Sequence, residues 1–403
     1  MINKNFVYPL QENAFSRSDI KCGVKVLKSR KITMGKETSK FEKFFAKKFG
    51  VNYALMVNSG SSANLLATFA SKNPLRKKRF KDGDEVLLPV LCWSTSLWPL
   101  VQAGLRPIFV DIDVETLNIN LADLKRKITK KTKVIMNINV LGLSSDLFEI
   151  KKICKNKKII LIEDNCESLG SKYKNKLMGT FGEFGTFSFY YSHQITSGEG
   201  GMVVCHTRSD YELLYALRAH GWSRSPYSYN RVAKENPNLD PRFIFTNMGF
   251  NLRPTDVQAA IGFNQLKRLN QFSKNRKINR IKIIKALKES KKWKNQFSFL
   301  PIPNGIDPSW FSLVILINEK FLKKKKKFIN FLTSKGIETR PIISGNFTKQ
   351  PAAKLFRLNK IRDKFPNADK IDKKGFFIGL KTSYLSRGRI NYLVDNLLQI
   401  SEI

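Results

Sequence analysis

The sequence predicts an α/β fold: a large N-terminal domain whose mostly parallel sheet lies between helices, and a smaller α+β domain at the C-terminus. Three observations predict it. Short apolar runs recur near residues 51–57, 84–88, 108–112, 134–140 and 159–163 without the polar alternation of half-exposed strands, so both faces of that sheet should be covered. Helical patterns separate the runs, as parallel crossovers require. A long helical stretch from Asp256 to about Ser290 then forms a strut, which sets the expected domains at 1–255 and 256–403.

The first 50 residues read as a polar arm, a helix over Asp19–Leu27, a turn at Ile32–Gly35 and a helix over Lys36–Phe49. Phe41, Phe44, Phe45 and Phe49 line one face of that second helix. A strand over Val51–Val57 runs into Asn58-Ser59-Gly60-Ser61-Ser62 and a helix over Ala63–Ala70. Such a strand, Ser/Gly turn and helix N-terminus point free N–H groups and hydroxyls at an anion. The same residues also make an ordinary N-cap. The strand Asp84–Leu88 ends at Pro89 and leads to Cys92-Trp93-Ser94-Thr95, where the Trp93 ring either covers an aromatic ligand or fills the core. Strands over Ile108–Ile112 and Val134–Val140 flank a helix over Leu121–Ile128. The strand Ile159–Glu163 runs into Asp164-Asn165-Cys166-Glu167-Ser168. An acid at the carboxyl end of a parallel strand stands where open α/β sheets bind ligands.

Phe187–Tyr191 then reads as a buried strand, Ser197–Gly201 as a glycine-rich turn and Met202–Cys205 as the returning strand. His193, one of three histidines, lies on the connection between them. It is either an exposed hairpin-end imidazole or a group that meets a ligand. Beyond it come a helix over Ser209–His220, a polar loop over Ser223–Pro241, and Asn251-Leu252-Arg253-Pro254-Thr255 before the strut. The C-terminal part carries strands near Ser312–Ile317 and Phe376–Gly379, helices near Lys320–Ser334 and Arg387–Ile400, and a loop over Arg340–Pro351.

At 42% hydrophobic residues the chain can bury a large core, and no apolar run is long enough to cross a bilayer. No membrane insertion and a cytoplasmic location are expected. Five scattered cysteines with no C-x-x-C pair point to neither a disulfide framework nor a metal or iron–sulfur site. The formal charge of +40 raises nucleic-acid binding as a function. Lysine and arginine are spread along the whole chain, however, and the dense run Lys323–Lys327 falls in a helical segment, so no specific nucleic-acid partner is expected. A basic surface still favours anionic ligands such as sugar nucleotides.

Together, Gly60 and Ser61 as a phosphate cradle, Trp93 as a stacking ring, Asp164 as an acid, Ser188 as a hydroxyl and His193 as a base make a complete site for a pyridoxal-type cofactor. Their order resembles sugar aminotransferases of the DegT/StrS type over nearly the full length. The matching segments are SGSSANLL, GDEV before Pro89, FVDID at Phe109–Asp113, EDNCESLGS at Glu163–Ser171, GTFG at Gly179–Gly182, FSF followed by GEGGMVV, and GFNLRPTDVQAAIG at Gly249–Gly262. The resemblance implies the fold of type I pyridoxal phosphate-dependent transferases, like that of aspartate aminotransferase. Where that family carries the lysine that forms the Schiff base with its cofactor, this chain has His193, and an imidazole forms no such bond. Histidine there marks the sugar 3-dehydratase subgroup, echoed also in Ile32–Gly35, Trp93–Thr95, Leu217–Trp222, Ser309–Phe311 and Gly345–Phe347.

The resemblance implies loss of the C3 hydroxyl from a nucleotide-linked 4-keto-6-deoxy sugar in 3,6-dideoxysugar and O-antigen synthesis. A GDP-linked sugar is the expected substrate, with CDP- or dTDP-linked sugars as alternatives and a catalytically silent binding protein as a second. The implied cofactor is pyridoxamine or pyridoxal phosphate, held without a covalent tether and recharged by L-glutamate. A related branch carries an iron–sulfur cluster on cysteines after its Gly-Trp pair; the loop Ser223–Pro241 has none, so no cluster and no metal are implied. His193 would serve as base and then as acid. Gly60, Ser61 and Ser188 would hold the phosphate, with Asn251 reaching in from the second subunit of a homodimer. Trp93 would stack on the ring, Asp164 would meet its nitrogen, and Glu167 would lie on its hydroxyl side. His220 and Arg253 are implied contacts to substrate or to the glutamate carboxylate, His220 being equally placed to cap a helix. Arg340 and Asn346 would form the C-terminal wall.

Overall fold

The computed structural model describes residues 6–12, 14–358 and 363–403, so the first five residues of the expected polar arm lie outside the described residues. Seven strands form the large sheet: β1 (Tyr53–Val57), β2 (Glu85–Pro89), β3 (Arg106–Val110), β4 (Thr132–Ile138), β5 (Ile160–Asp164), β6 (Phe184–Ser188) and β7 (Gly201–Cys205). Their spatial order is β1-β7-β6-β5-β4-β2-β3. Pairing is parallel from β3 through β2, β4 and β5 to β6, and β7 runs antiparallel to both β6 and β1. β2, β5, β6 and β7 are buried at every residue, which is why their apolar runs are continuous.

The helices α1 (Arg17–Lys28), α2 (Lys36–Phe49), α3 (Gly60–Lys72), α4 (Ser94–Gln102), α5 (Leu121–Lys127), α6 (Leu147–Lys157) and α7 (Arg208–Arg218) accompany this sheet. The phenylalanines of α2 explain its placement. Phe45 stacks on Phe49 at 4.2 Å between ring centres and meets the Phe187 ring edge-on at 5.0 Å, so the helix is pinned behind the end of β6. The helices α8 (Tyr229–Glu235), α9 (Asp256–Leu266) and α10 (Leu269–Glu289) lead to the C-terminal part. There an antiparallel sheet of β8 (Phe297–Ser298), β9 (Ser312–Ile317), β10 (Thr339–Arg340) and β11 (Gly375–Gly379), in the order β8-β9-β11-β10, packs with α11 (Lys325–Ser334), α12 (Pro351–Leu355), α13 (Pro366–Lys374) and α14 (Arg387–Leu398). The arm joins this sheet, since Tyr8 bridges Ile337 and its hydroxyl donates to the Gly379 carbonyl at 2.9 Å. Among the described residues no helix is long and apolar enough to cross a membrane.

Four expectations need correction. The single strut is two helices, broken at Lys267–Arg268 where Arg268 turns aside to bind Asp19 of α1 with both carboxylate oxygens at 2.6 Å. The strand expected over Phe187–Tyr191 ends at Ser188, because β6 and β7 stop pairing at Ser188 opposite Gly201. Phe189 then bonds Gly200 and Ser197 to close the loop, which leaves Tyr190 and Tyr191 exposed. The polar loop over Ser223–Pro241 contains α8, anchored by the buried Val232 and an Arg231–Glu235 pair one turn apart. The loop over Arg340–Pro351 begins in β10 and includes a short turn of 3₁₀ helix, Phe347–Lys349.

Candidate active site

The carboxyl ends of β5 and β6 and the N-terminus of α3 converge on one place. Ser59 caps α3, its hydroxyl accepting from the Ser62 N–H at 3.1 Å. Gly60 then passes so close to β6 that a Cβ there would stand 2.4 Å from Ser188 Cβ, and one on Gly201 would stand 2.3 Å from the Ser59 carbonyl. Only glycine lets these three segments touch. The resulting concavity has the α3 N–H groups, the exposed Ser61 and the buried Ser188 hydroxyl around it.

Asp164 ends β5 and is 4% exposed. One of its oxygens accepts from Asn64 Nδ2 and from Ser96 Oγ, each at 2.7 Å; the other accepts from the Cys166 N–H at 3.1 Å. Thr186 Oγ1 donates to Asn64 Oδ1 at 2.6 Å, which fixes the amide that fixes the acid. Asn64 and Ser96 were not legible as site residues. Asn64 sits one turn after Gly60 on α3 and Ser96 three residues after Trp93, so helical spacing from the two motifs was the signal available. Trp93 itself precedes α4 and is 58% exposed, which excludes the core-filling reading.

His193 lies on the loop after β6, half-buried, its N–H donating to the Tyr190 carbonyl at 3.0 Å. Nδ1 stands 3.4 Å from the Ser188 carbonyl, which assigns the proton to Nδ1 and the lone pair to Nε2. The ring is held edge-on by Phe311 at 5.3 Å and Tyr190 at 5.8 Å. Burial pushes the imidazole down to about 4; the Ser188 carbonyl and the Asp164 charge oppose this, and Arg276 adds to it. The side chain is therefore a neutral base at pH 7. Gln194, the next residue, is buried and ties the loop to the Glu167 carbonyl at 2.5 Å and the Ser309 carbonyl at 3.2 Å.

Glu167 is half-buried, and burial followed by repulsion from Asp164 pushes its carboxyl up to about 8. One of its oxygens accepts from the Leu141 N–H at 3.2 Å. Glu163, the first acid of the same motif, is wholly buried and accepts from the N–H groups of Gly179, Phe181 and Gly182 at 2.5–3.0 Å. It folds the GTFG turn against β5.

The other expected residues are bonded to neighbours outside this group, although Leu252, between Asn251 and Arg253, accepts from the Asn58 N–H at 3.1 Å beside the start of α3. Asn251 is exposed and accepts from Arg253 Nε at 2.9 Å. His220 is exposed one residue beyond the α7 cap, in the left-handed region at φ 62°, with its ring against Trp222. Arg340 is exposed and pairs with Glu338 at 2.8 Å. Asn346 is 4% exposed, accepts from the Thr348 N–H and donates to Asp369 of α13 at 2.8 Å, so its side chain ties its loop to that helix. That loop does lie beside Trp93, since Ser344 Oγ donates to the Cys92 carbonyl at 2.6 Å.

Residues 16–397 match the DegT/DnrJ/EryC1/StrS aminotransferase family. The chain is 39% identical over 378 residues to the GDP-4-keto-6-deoxy-D-mannose 3-dehydratase of Escherichia coli, covering 92% of this chain and 95% of that one. The solved structure of Escherichia coli GDP-4-keto-6-deoxy-D-mannose-3-dehydratase with bound hydrated PLP matches with a TM-score of 0.88 at 38% identity, over 98% of this chain and 100% of the other. A structure of GDP-4-keto-6-deoxymannose-3-dehydratase with a trapped PLP-glutamate geminal diamine matches with a TM-score of 0.87 at 38% identity, over 97% and 100%. These likenesses extend over nearly the whole chain, and the fold is that of the PLP-dependent aminotransferases. The chain therefore belongs to the DegT/DnrJ/EryC1/StrS aminotransferase family.

Proposed function

We propose that the protein removes the C3 hydroxyl of GDP-4-keto-6-deoxy-D-mannose, with pyridoxamine phosphate as cofactor and glutamate as the donor that restores it. His193 carries this reading. A neutral imidazole, not a lysine amine, stands on the loop that follows Ser188 in an aminotransferase fold, and two relatives matched over 92% of this chain carry the dehydratase name.

The residues fit the cofactor. The room that a Cβ on Gly60 would fill lies beside the Ser188 hydroxyl at a helix N-terminus and suits a phosphate, which Gly60, Ser61 and Ser188 would hold. Asp164, oriented by Asn64 and Ser96, suits a ring nitrogen, and the exposed Trp93 suits a ring face. When bound, the cofactor would supply an electron sink for expelling the hydroxyl.

His193 would take a proton at Nε2 while Nδ1–H stays turned to the Ser188 carbonyl. Because its surroundings disfavour the charged form, the imidazolium would readily pass that proton to the leaving oxygen. Glu167, raised to about 8, stays protonated at neutral pH and would donate a hydrogen bond on the ring-hydroxyl side. Asn251 would reach a second subunit's site in a homodimer, and the neighbouring exposed Phe243, Phe245 and Met248 supply an apolar surface for that contact. Arg253, His220 and Arg340 would meet carboxylate or phosphate groups of the ligands. Mass spectrometry of the reaction tests the reading: a product lighter by one oxygen, with glutamate required for repeated turnover, is expected, and an amino sugar overturns it.

A further inference from the structure

Arg276 on α10 is 1% exposed, and among the described residues its guanidinium meets no carboxylate. Nη1 donates to the carbonyls of Trp310 at 3.2 Å and Phe311 at 3.5 Å; Nη2 donates to the His193 carbonyl at 3.3 Å and to Gln11 Oε1 at 3.5 Å; Nε has no partner among the described residues. All four acceptors are neutral. A buried cation without an anion is costly, so its persistence asks for a use. Burial lowers it from its ordinary value only to about 10, and it remains charged at pH 7.

Three distant segments meet on this one side chain: the His193 loop, the turn that enters β9, and the N-terminal arm. It reaches His193 twice. It binds the His193 carbonyl directly, and it binds the carbonyl of Phe311, whose ring stands edge-on to the imidazole at 5.3 Å. The charged groups that act on the imidazole are Asp164 at the end of β5 and Arg276 from α10; Tyr190 of its own loop stands edge-on to it, Cys166 and Glu167 lie beside Asp164, and Tyr8 of the arm lies near Arg276. Of these, only Arg276 is cationic.

We propose that Arg276 is a positioning residue for His193: its fork holds the His193 backbone and the Phe311 ring in one arrangement, and it sets its positive charge against the imidazole from α10. The kinetic part rests on the dehydratase reading, whereas the effect on the imidazole does not. A conservative lysine retains the charge and loses the planar fork, which separates the two contributions.

The test uses cofactor-loaded protein labelled with ¹³C-histidine. Three histidines give three signals, and His193→Asn assigns the relevant one. In Arg276→Met the His193 titration midpoint should rise by about 0.5–1 pH unit, because a nearby like charge has gone. In Arg276→Lys the midpoint should stay near that of the parent, while kcat falls by about tenfold with KM nearly unchanged, as misplacement of a reacting group requires. An unchanged midpoint in folded Arg276→Met overturns the electrostatic part, and full kcat in Arg276→Lys overturns the positioning part. If Arg276→Met does not fold, Arg276→Gln removes the charge while keeping an amide donor, and the same rise in midpoint is required of it. Absence of dehydratase turnover in the parent would overturn the functional reading and leave the titration result standing by itself.

Discussion

Gly60 and Ser188 approach so closely that residue 60 has no room for a side chain: a Cβ would lie 2.4 Å from Ser188 Cβ and 2.8 Å from its hydroxyl. Gly60 has no left-handed backbone to relieve, so Gly60→Ala acts through this clash alone. Overpacking of this kind costs about 1–3 kcal/mol and here also pushes α3 away from β6. A cofactor titration followed by absorbance should show binding weakened at least about tenfold, with a lower melting temperature. Parent-like affinity in Gly60→Ala would remove the cradle from the account.

Ser96→Ala removes one of two side-chain donors to the same Asp164 oxygen. Leaving a buried acceptor short of a donor costs about 1–3 kcal/mol. The variant should fold and should bind cofactor roughly tenfold more weakly, measured by the same titration.

The Glu167 carboxyl should make the cofactor-free protein less stable as pH rises. Its value in the folded state is about 8, above the ordinary carboxylate range, so between pH 5 and 8 the folded chain holds a proton that the unfolded chain has lost. Stability falls with pH across that window, by about 2–4 kcal/mol for this group. Urea denaturation of the parent and Glu167→Gln at pH 5 and pH 8 measures it; the variant should lose less stability than the parent over that interval.

Burial pushes the His193 imidazole down to about 4, below its ordinary range, so it stays a neutral base well into the acid range. The acid limb of kcat/KM should therefore lie well below pH 6.5, as the protonation state of the free enzyme requires. A limb at 6.5 or above would mean that another group, or a differently placed imidazole, is being read.

Much of the fold was legible because strands buried on both faces leave continuous apolar runs, and β1, β2, β4 and β5 lie within a few residues of those runs. The break at Lys267–Arg268 was not, because both residues are good helix formers and the turn is made by the distant Asp19. Tyr190 and Tyr191 favour strands, but the pairing of β6 ends before them. In the site, Gly60, Asp164 and His193 could be read from the order of their motifs. Asn64, Ser96 and Arg276 act as buried polar partners of other residues, and such a role leaves no periodic or compositional trace along a single chain.

The central claim is that an imidazole performs an elimination where the family's lysine would support transfer of an amino group. The most direct measurement is the product mass in a single turnover of pyridoxamine phosphate-loaded parent and His193→Asn with GDP-4-keto-6-deoxy-D-mannose. The parent should give a sugar lighter by one oxygen, and the variant should bind cofactor yet form that product about 10²–10⁴-fold more slowly, the range expected for a lost general acid–base. An amino sugar from the parent, or an undiminished rate in the variant, would contradict the account.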